Sequence, residues 1–206
     1  TLIPFAGVPH EPAAYLGRNG RLKIAKKYLH KRWLLRARGQ LPLERAHLDG
    51  SQRLLWIYAK RNFGDATMDL AGRALLKGRG VRVDLLALPS LVPLFAEDDL
   101  FGRVYGDPAQ VDASRYDADV LSEYNLPSIR LKARHFGKLP YACLYQYFNG
   151  PDRNQTRFSY AAVNEVFSLG LGADELAAVS KPYLASSAAT RESVRELLPV
   201  QPFIAL

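Results

Sequence analysis

The stretch RLLWIYAKRNFGDATMDLAGRALLKGRGVRVDLLAL, residues 53–88, decides the fold. It opens on a short apolar run (53–59) that reads as a buried strand. Residues 65–80 then carry Ala66, Leu70, Ala74 and Leu75 at helical spacing, and Gly78 and Gly80 end that run. VRVDLLAL (81–88) is a second apolar strand. A helix between two buried strands is the repeating unit of a parallel sheet, because parallel neighbours need a crossover between them.

The alternation continues downstream. SLVPLFAEDD (90–99) reads as a short helix, RVYG (103–106) as a short strand and YDADVLSEY (116–124) as a strand. LPSIRLKARHFG (126–137) is a helix closed by Gly137, and YACLYQYF (141–148) a strand. Residues 157–172 and 189–198 read as helices and PFIAL (202–206) as a last strand. The expected class is α/β, a Rossmann-like parallel sheet with helices on both faces and right-handed crossovers. Residues 51–200 form that domain.

Bulk properties agree with a globular chain. Of 206 residues, 48% are hydrophobic and 23% charged, which suits one large domain or one domain with an extension. The single cysteine, Cys143, excludes an internal disulfide and reads as a small buried hydrophobe. His10, His30, His47 and His135 are scattered and form no ligand pair, so no metal and no cofactor are expected. The first residues contain three prolines and no charged leader. They do not read as a signal peptide, and the cytoplasm is the expected compartment.

Charge separates the two regions. Residues 1–50 hold ten Lys or Arg against three acids, a net of +7, while the other 156 residues hold 18 against 17. A near-neutral main domain argues against a nucleic-acid groove across the fold. Within the basic extension, residues 21–38 read as an amphipathic helix stopped by Gly39 and Pro42. Leu22, Ala25, Leu29, Trp33 and Ala37 fall on one arc, and Ile24, Tyr28 and Leu35 on a neighbouring one. Lys23, Lys27, His30, Lys31 and Arg38 gather opposite. Such a helix packs on the domain with its charges in water, or lies on an anionic membrane surface through Lys23, Lys27, Lys31 and Trp33, with nucleic-acid binding as a third reading.

In open parallel sheets, ligands bind beyond the carboxyl ends of the strands. Lys60, Arg61, Asn62, Gly64 and Asp65 follow the first strand. Glu123, Tyr124 and Asn125 follow the 116–124 strand, and Asn149, Asp152, Arg153 and Asn154 follow the 141–148 strand. Carboxylate, cations and amides together suit a hydroxylated, anionic ligand such as a phosphorylated sugar. No G-x-G-x-x-G turn, P-loop or G-x-S-x-G elbow is present. Asp65 at a helix start can act as a simple cap. Alternatively it can take a proton.

The run 53–88, followed by RVYG, YDADVLSE, RFSYAAVNEVFSLGLG and KPYLA, resembles the lipopolysaccharide heptosyltransferase family of inverting GT-B glycosyltransferases. The likeness covers roughly residues 53 to 206, and its signature is a strand, a loop ending in Gly-Asp (Gly64, Asp65) and a helix. It implies that this chain is the N-terminal, acceptor-binding half, with Asp65 as the catalytic base on the acceptor hydroxyl. It implies that residues 201–206 begin the linker and first strand of a C-terminal domain that binds the nucleotide-sugar. The implied partner is a glycan or glycolipid acceptor. Lys60, Arg61, Asn62, Gly64, Glu123, Asn125, Asn149 and Arg153 are the candidate acceptor contacts. Two features depart from the family pattern: ATMDLAG follows Gly-Asp without a proline, and the extension 1–50 has no counterpart. The rival class is a non-catalytic α/β module that docks a partner or membrane.

Overall fold

The computed structural model describes residues 20–50, 52–147 and 154–197. Five strands make one sheet: β1 (Arg53–Ile57), β2 (Arg82–Leu86), β3 (Val104–Tyr105), β4 (Ala118–Leu121) and β5 (Tyr141–Cys143). Their order is β3-β2-β1-β4-β5, and every neighbouring pair is parallel. Trp56 sits in register with Leu85 on one side and Val120 on the other. The strand order reverses between β1 and β4, so the loops leaving those two strands diverge at the carboxyl edge.

Alternation along the strands splits the core into two layers. Leu54, Trp56, Val83, Leu85 and Val120 pack on one face, under Phe158, Ala162, Val163 and Val166 of α5 (Gln155–Val166). Leu55, Ile57, Leu86 and Leu121 pack on the other. There they meet Leu35 of α1 (Arg21–Ala37) and Ile129 of α4 (Leu126–His135). Burial on both faces explains why β1 reads as a continuous apolar run.

The segment expected as one helix over 65–80 is two. Helix α2 (Phe63–Asp69) gives way to a 3-10 turn over Ala71–Leu76. The cause is Ser159 on α5. Its hydroxyl donates to the Asp69 carbonyl at 2.6 Å and accepts from the Gly72 N–H at 3.0 Å. A side chain inserted into the backbone ladder ends the α-helical register. A Cβ at position 72 would lie 2.5 Å from the Ser159 carbonyl oxygen, so only glycine permits that approach.

Other boundaries moved too. β5 stops at Cys143, and the chain turns through Gln146 at φ 44 rather than extending to 148. Helix α3 (Val92–Phe95) follows a 3-10 turn. Helix α6 (Ala173–Val179) is an addition to the expected elements; none of its residues is buried, and its short stripe of Ala173, Leu176 and Ala177 is mostly alanine. Helix α7 (Ala188–Leu197) stands near the expected place. The strand expected at 202–206 lies outside the described residues.

Residues from 20 to 50 pack on the same sheet. Gly39 takes φ 65 and ends α1, and the Arg45 N–H donates to the Tyr141 carbonyl at 2.8 Å. The Leu48 N–H donates to Val166 at 2.8 Å, and Leu48 joins the core.

Candidate functional site

At the divergence of the β1 and β4 loops, three of the expected site residues meet. Lys60 Nζ lies 3.0 Å from Asp69 Oδ2 and 3.4 Å from Glu123 Oε2. The other Glu123 oxygen accepts from Asn125 Nδ2 at 2.6 Å. Asn125 in turn caps α4, its side-chain oxygen accepting from the Ser128 N–H at 2.7 Å.

Asp69 is the hub of this network. Its carboxylate is fully buried and also accepts from the Tyr58 hydroxyl at 3.0 Å, the Tyr145 hydroxyl at 2.5 Å and Gln155 Nε2 at 2.5 Å. A buried carboxylate demands such partners. Burial first, and Asp69 second, push the pKa of Tyr58 and Tyr145 upward, so both phenols stay protonated as donors. Burial works against the Lys60 charge, but Asp69 and Glu123 outweigh it and hold its pKa above the ordinary lysine value. Lys60 was expected to hold an acceptor anion. Two carboxylates pair with it, so it ties the β1 loop to the end of α2 and to the β4 loop.

Asp65 differs from Asp69. It occupies the first turn of α2, is half-buried, and meets Asn62 Nδ2 at 3.4 Å. No cation pairs with it among the described residues. Asn62, not Asp65, is the N-cap residue, so the simple-cap reading of Asp65 gives way. A carboxylate in the first turn still benefits from the helix dipole. Gly64 is exposed, and a Cβ there would meet no protein atom within 4 Å. Arg61 is exposed beside it. Asn149 and Arg153 lie outside the described residues.

The basic helix α1 stands against the same carboxyl edge. Tyr28 packs on Tyr147 with ring centroids 4.6 Å apart. Glu44 accepts from the Tyr124 hydroxyl at 2.5 Å and from the Tyr147 hydroxyl at 2.9 Å, which fixes both rings under the helix. Both apolar arcs of α1 exist, with opposite fates. Ile24 and Leu35 face inward and are buried. Leu22, Leu29 and Trp33 face outward, at 88%, 63% and 63% exposure. Lys23 is exposed and Lys27 half-buried. Lys31, expected at a membrane surface, is turned inward with 9% exposure, because it follows Ile24 by two helical turns on the packing side.

Lys23, Lys26, Lys27, His30 and Lys31 line one wall of a cavity of about 640 Å³, and Tyr124, Asn125 and Leu126 line the other. Among the described residues no group of His, Cys, Asp and Glu could hold a metal, and no helix is long and apolar enough to cross a membrane. Cys143 is buried, and burial raises its thiol pKa, which keeps it inert. No family model, curated protein or solved structure matches the chain.

Proposed function

We propose that this chain is the acceptor-binding half of an inverting glycosyltransferase of the lipopolysaccharide heptosyltransferase type, working against an anionic membrane surface. The observation that carries the reading is the contrast between Asp65 and Asp69. Asp69 is buried under four side-chain donors and can take no proton from a ligand. Asp65 is reachable at the carboxyl edge of β1, with one long contact to Asn62.

In this reading an Asp65 oxygen takes the proton of the acceptor hydroxyl. The acceptor oxygen, losing that proton to Asp65, attacks the anomeric carbon of the donor as the bond to the nucleotide diphosphate breaks, and the diphosphate leaves with the electron pair. An aspartate is a weak base toward a resting hydroxyl, but becomes adequate as that oxygen turns acidic in the transition state. The nucleotide-sugar would sit in a second domain facing this edge. The outward stripe Leu22, Leu29 and Trp33, flanked by Lys26 and Arg36, supports attachment to anionic lipid.

The test is Asp65→Asn in a form carrying both domains. Melting temperature and acceptor affinity should hold, while turnover falls by about 10²- to 10⁴-fold. A variant that turns over normally sinks Asp65 as the base, and absence of transfer by the unsubstituted two-domain form leaves the binding-module reading in its place.

A further inference from the structure

We propose that the lysine-lined cavity between α1 and α4 is a phosphate-binding site. Five cationic or titratable side chains, Lys23, Lys26, Lys27, His30 and Lys31, converge on it from one helix. Among the described residues lining it, none is acidic. Glu123, the nearest carboxylate in sequence, is turned toward Lys60 and Asn125. The opposite wall includes Asn125 and Leu126 at the start of the ten-residue α4, whose positive dipole end adds the same sign of potential.

Lys23, Lys26 and Lys27 carry like charges on one wall of the cavity, and an anion held among them would offset their mutual repulsion. Lysine ammonium groups suit a phosphate approached from several directions, whereas a carboxylate is better met by the planar fork of arginine. The floor formed by Leu34 and Tyr124 gives the site an apolar side. A volume of about 640 Å³ suits a phosphate group with a small organic body, such as a sugar phosphate or a phospholipid headgroup. The inference does not rest on sugar transfer, since binding can be read without turnover.

Titrating the chain with inorganic pyrophosphate in a calorimeter tests it. Saturable binding is expected, together with a rise in melting temperature as pyrophosphate is added. Lys23→Gln combined with Lys27→Gln should weaken binding at least about tenfold, while Lys138→Gln, exposed in the turn beyond the end of α4, should leave it unchanged. The lysines at 23 and 27 are not core residues, so the fold should survive, and circular dichroism checks this. Vesicles containing phosphatidic acid then separate the sources. Displacement from them by pyrophosphate assigns the natural phosphate to a lipid headgroup, and vesicle binding indifferent to pyrophosphate assigns it to a soluble ligand. Absence of saturable pyrophosphate binding, or equal losses in the Lys138 control, overturns the proposal.

Discussion

Asp65 and Asp69 are one helical turn apart, yet Asp69 is sealed and Asp65 is open. The difference comes from what reaches each carboxylate. Tyr145 and Gln155, 76 and 86 residues downstream, close over Asp69, and among the described residues only Asn62 reaches the Asp65 carboxylate with a hydrogen bond. Gly64 beside them can be interrogated separately from the acid. Its Cβ position is open space, so no internal contact demands glycine there. Gly64→Ala should therefore raise stability slightly, by about 0.5 kcal/mol, since alanine loses less backbone freedom in a helix. If an acceptor approaches the backbone here, the same change should weaken acceptor binding at least about tenfold. Paired melting and binding measurements decide it; unchanged affinity would mean that the ligand does not come near this turn.

Helix α1 carries two apolar stripes with separate uses. The inner stripe joins it to the sheet, and Leu35, 1% exposed, belongs to the core. Leu35→Ala should cost about 2 to 5 kcal/mol. The outer stripe, Leu22, Leu29 and Trp33, contributes little to folding because it remains in water. Trp33→Ala should change stability by less than about 1 kcal/mol, as surface substitutions do. The same change should reduce co-sedimentation with anionic liposomes, and neutral liposomes should not bind the chain at all. Lys26 and Arg36 flank that stripe, and their attraction is screened over about 8 to 10 Å at physiological ionic strength, so added salt should release the protein. Two such faces would repel each other, since seven Lys or Arg and no acid lie within residues 21–37. If light scattering instead finds a dimer that Trp33→Ala dissociates, the stripe is a protein interface and the membrane leaves the account.

Across the whole molecule, the sheet is legible because β1 is an unbroken apolar run buried from Leu54 to Ile57, and because strand-like and helix-like segments alternate after it. The basic character of residues 1–50 was equally plain. What sequence could not supply was non-local. Ser159 splits the helix over 65–80, and Tyr145 with Gln155 assembles the Asp69 hub, from positions no periodicity links. The two arcs of α1 were visible, but which one meets the sheet depends on Tyr124, Tyr147 and Glu44. Asp119 and Lys132 illustrate the same limit. Asp119 on β4 and Lys132 on α4 are both buried, 3.7 Å apart, and neither Asp119 oxygen has a hydrogen-bond partner among the described residues. Burial raises the Asp119 pKa to about 7, against the pull of Lys132, and burial lowers the Lys132 pKa to about 8, against the pull of Asp119. The folded chain thus keeps an Asp119 proton that the unfolded chain has lost, so this group makes stability fall as pH rises from about 4 to 7. Lys132 sheds its proton early in the folded state, so its contribution rises with pH from about 8 to 10.5. The pair therefore favours folding least between about pH 7 and 8, where both groups are charged. Lys132→Met removes the partner and the two hydrogen bonds from Nζ to the Phe136 and Leu139 carbonyls. At pH 8 an orphaned, buried carboxylate should make this cost about 3 to 5 kcal/mol. At pH 5 the carboxyl takes a proton, and the cost should shrink toward that of the two lost hydrogen bonds, about 1 kcal/mol each. Urea unfolding at both pH values measures the difference, and adding Asp119→Asn should abolish it. An equal cost at pH 5 and pH 8 would mean that Asp119 does not titrate in this range, and that Lys132 serves only to satisfy the end of α4.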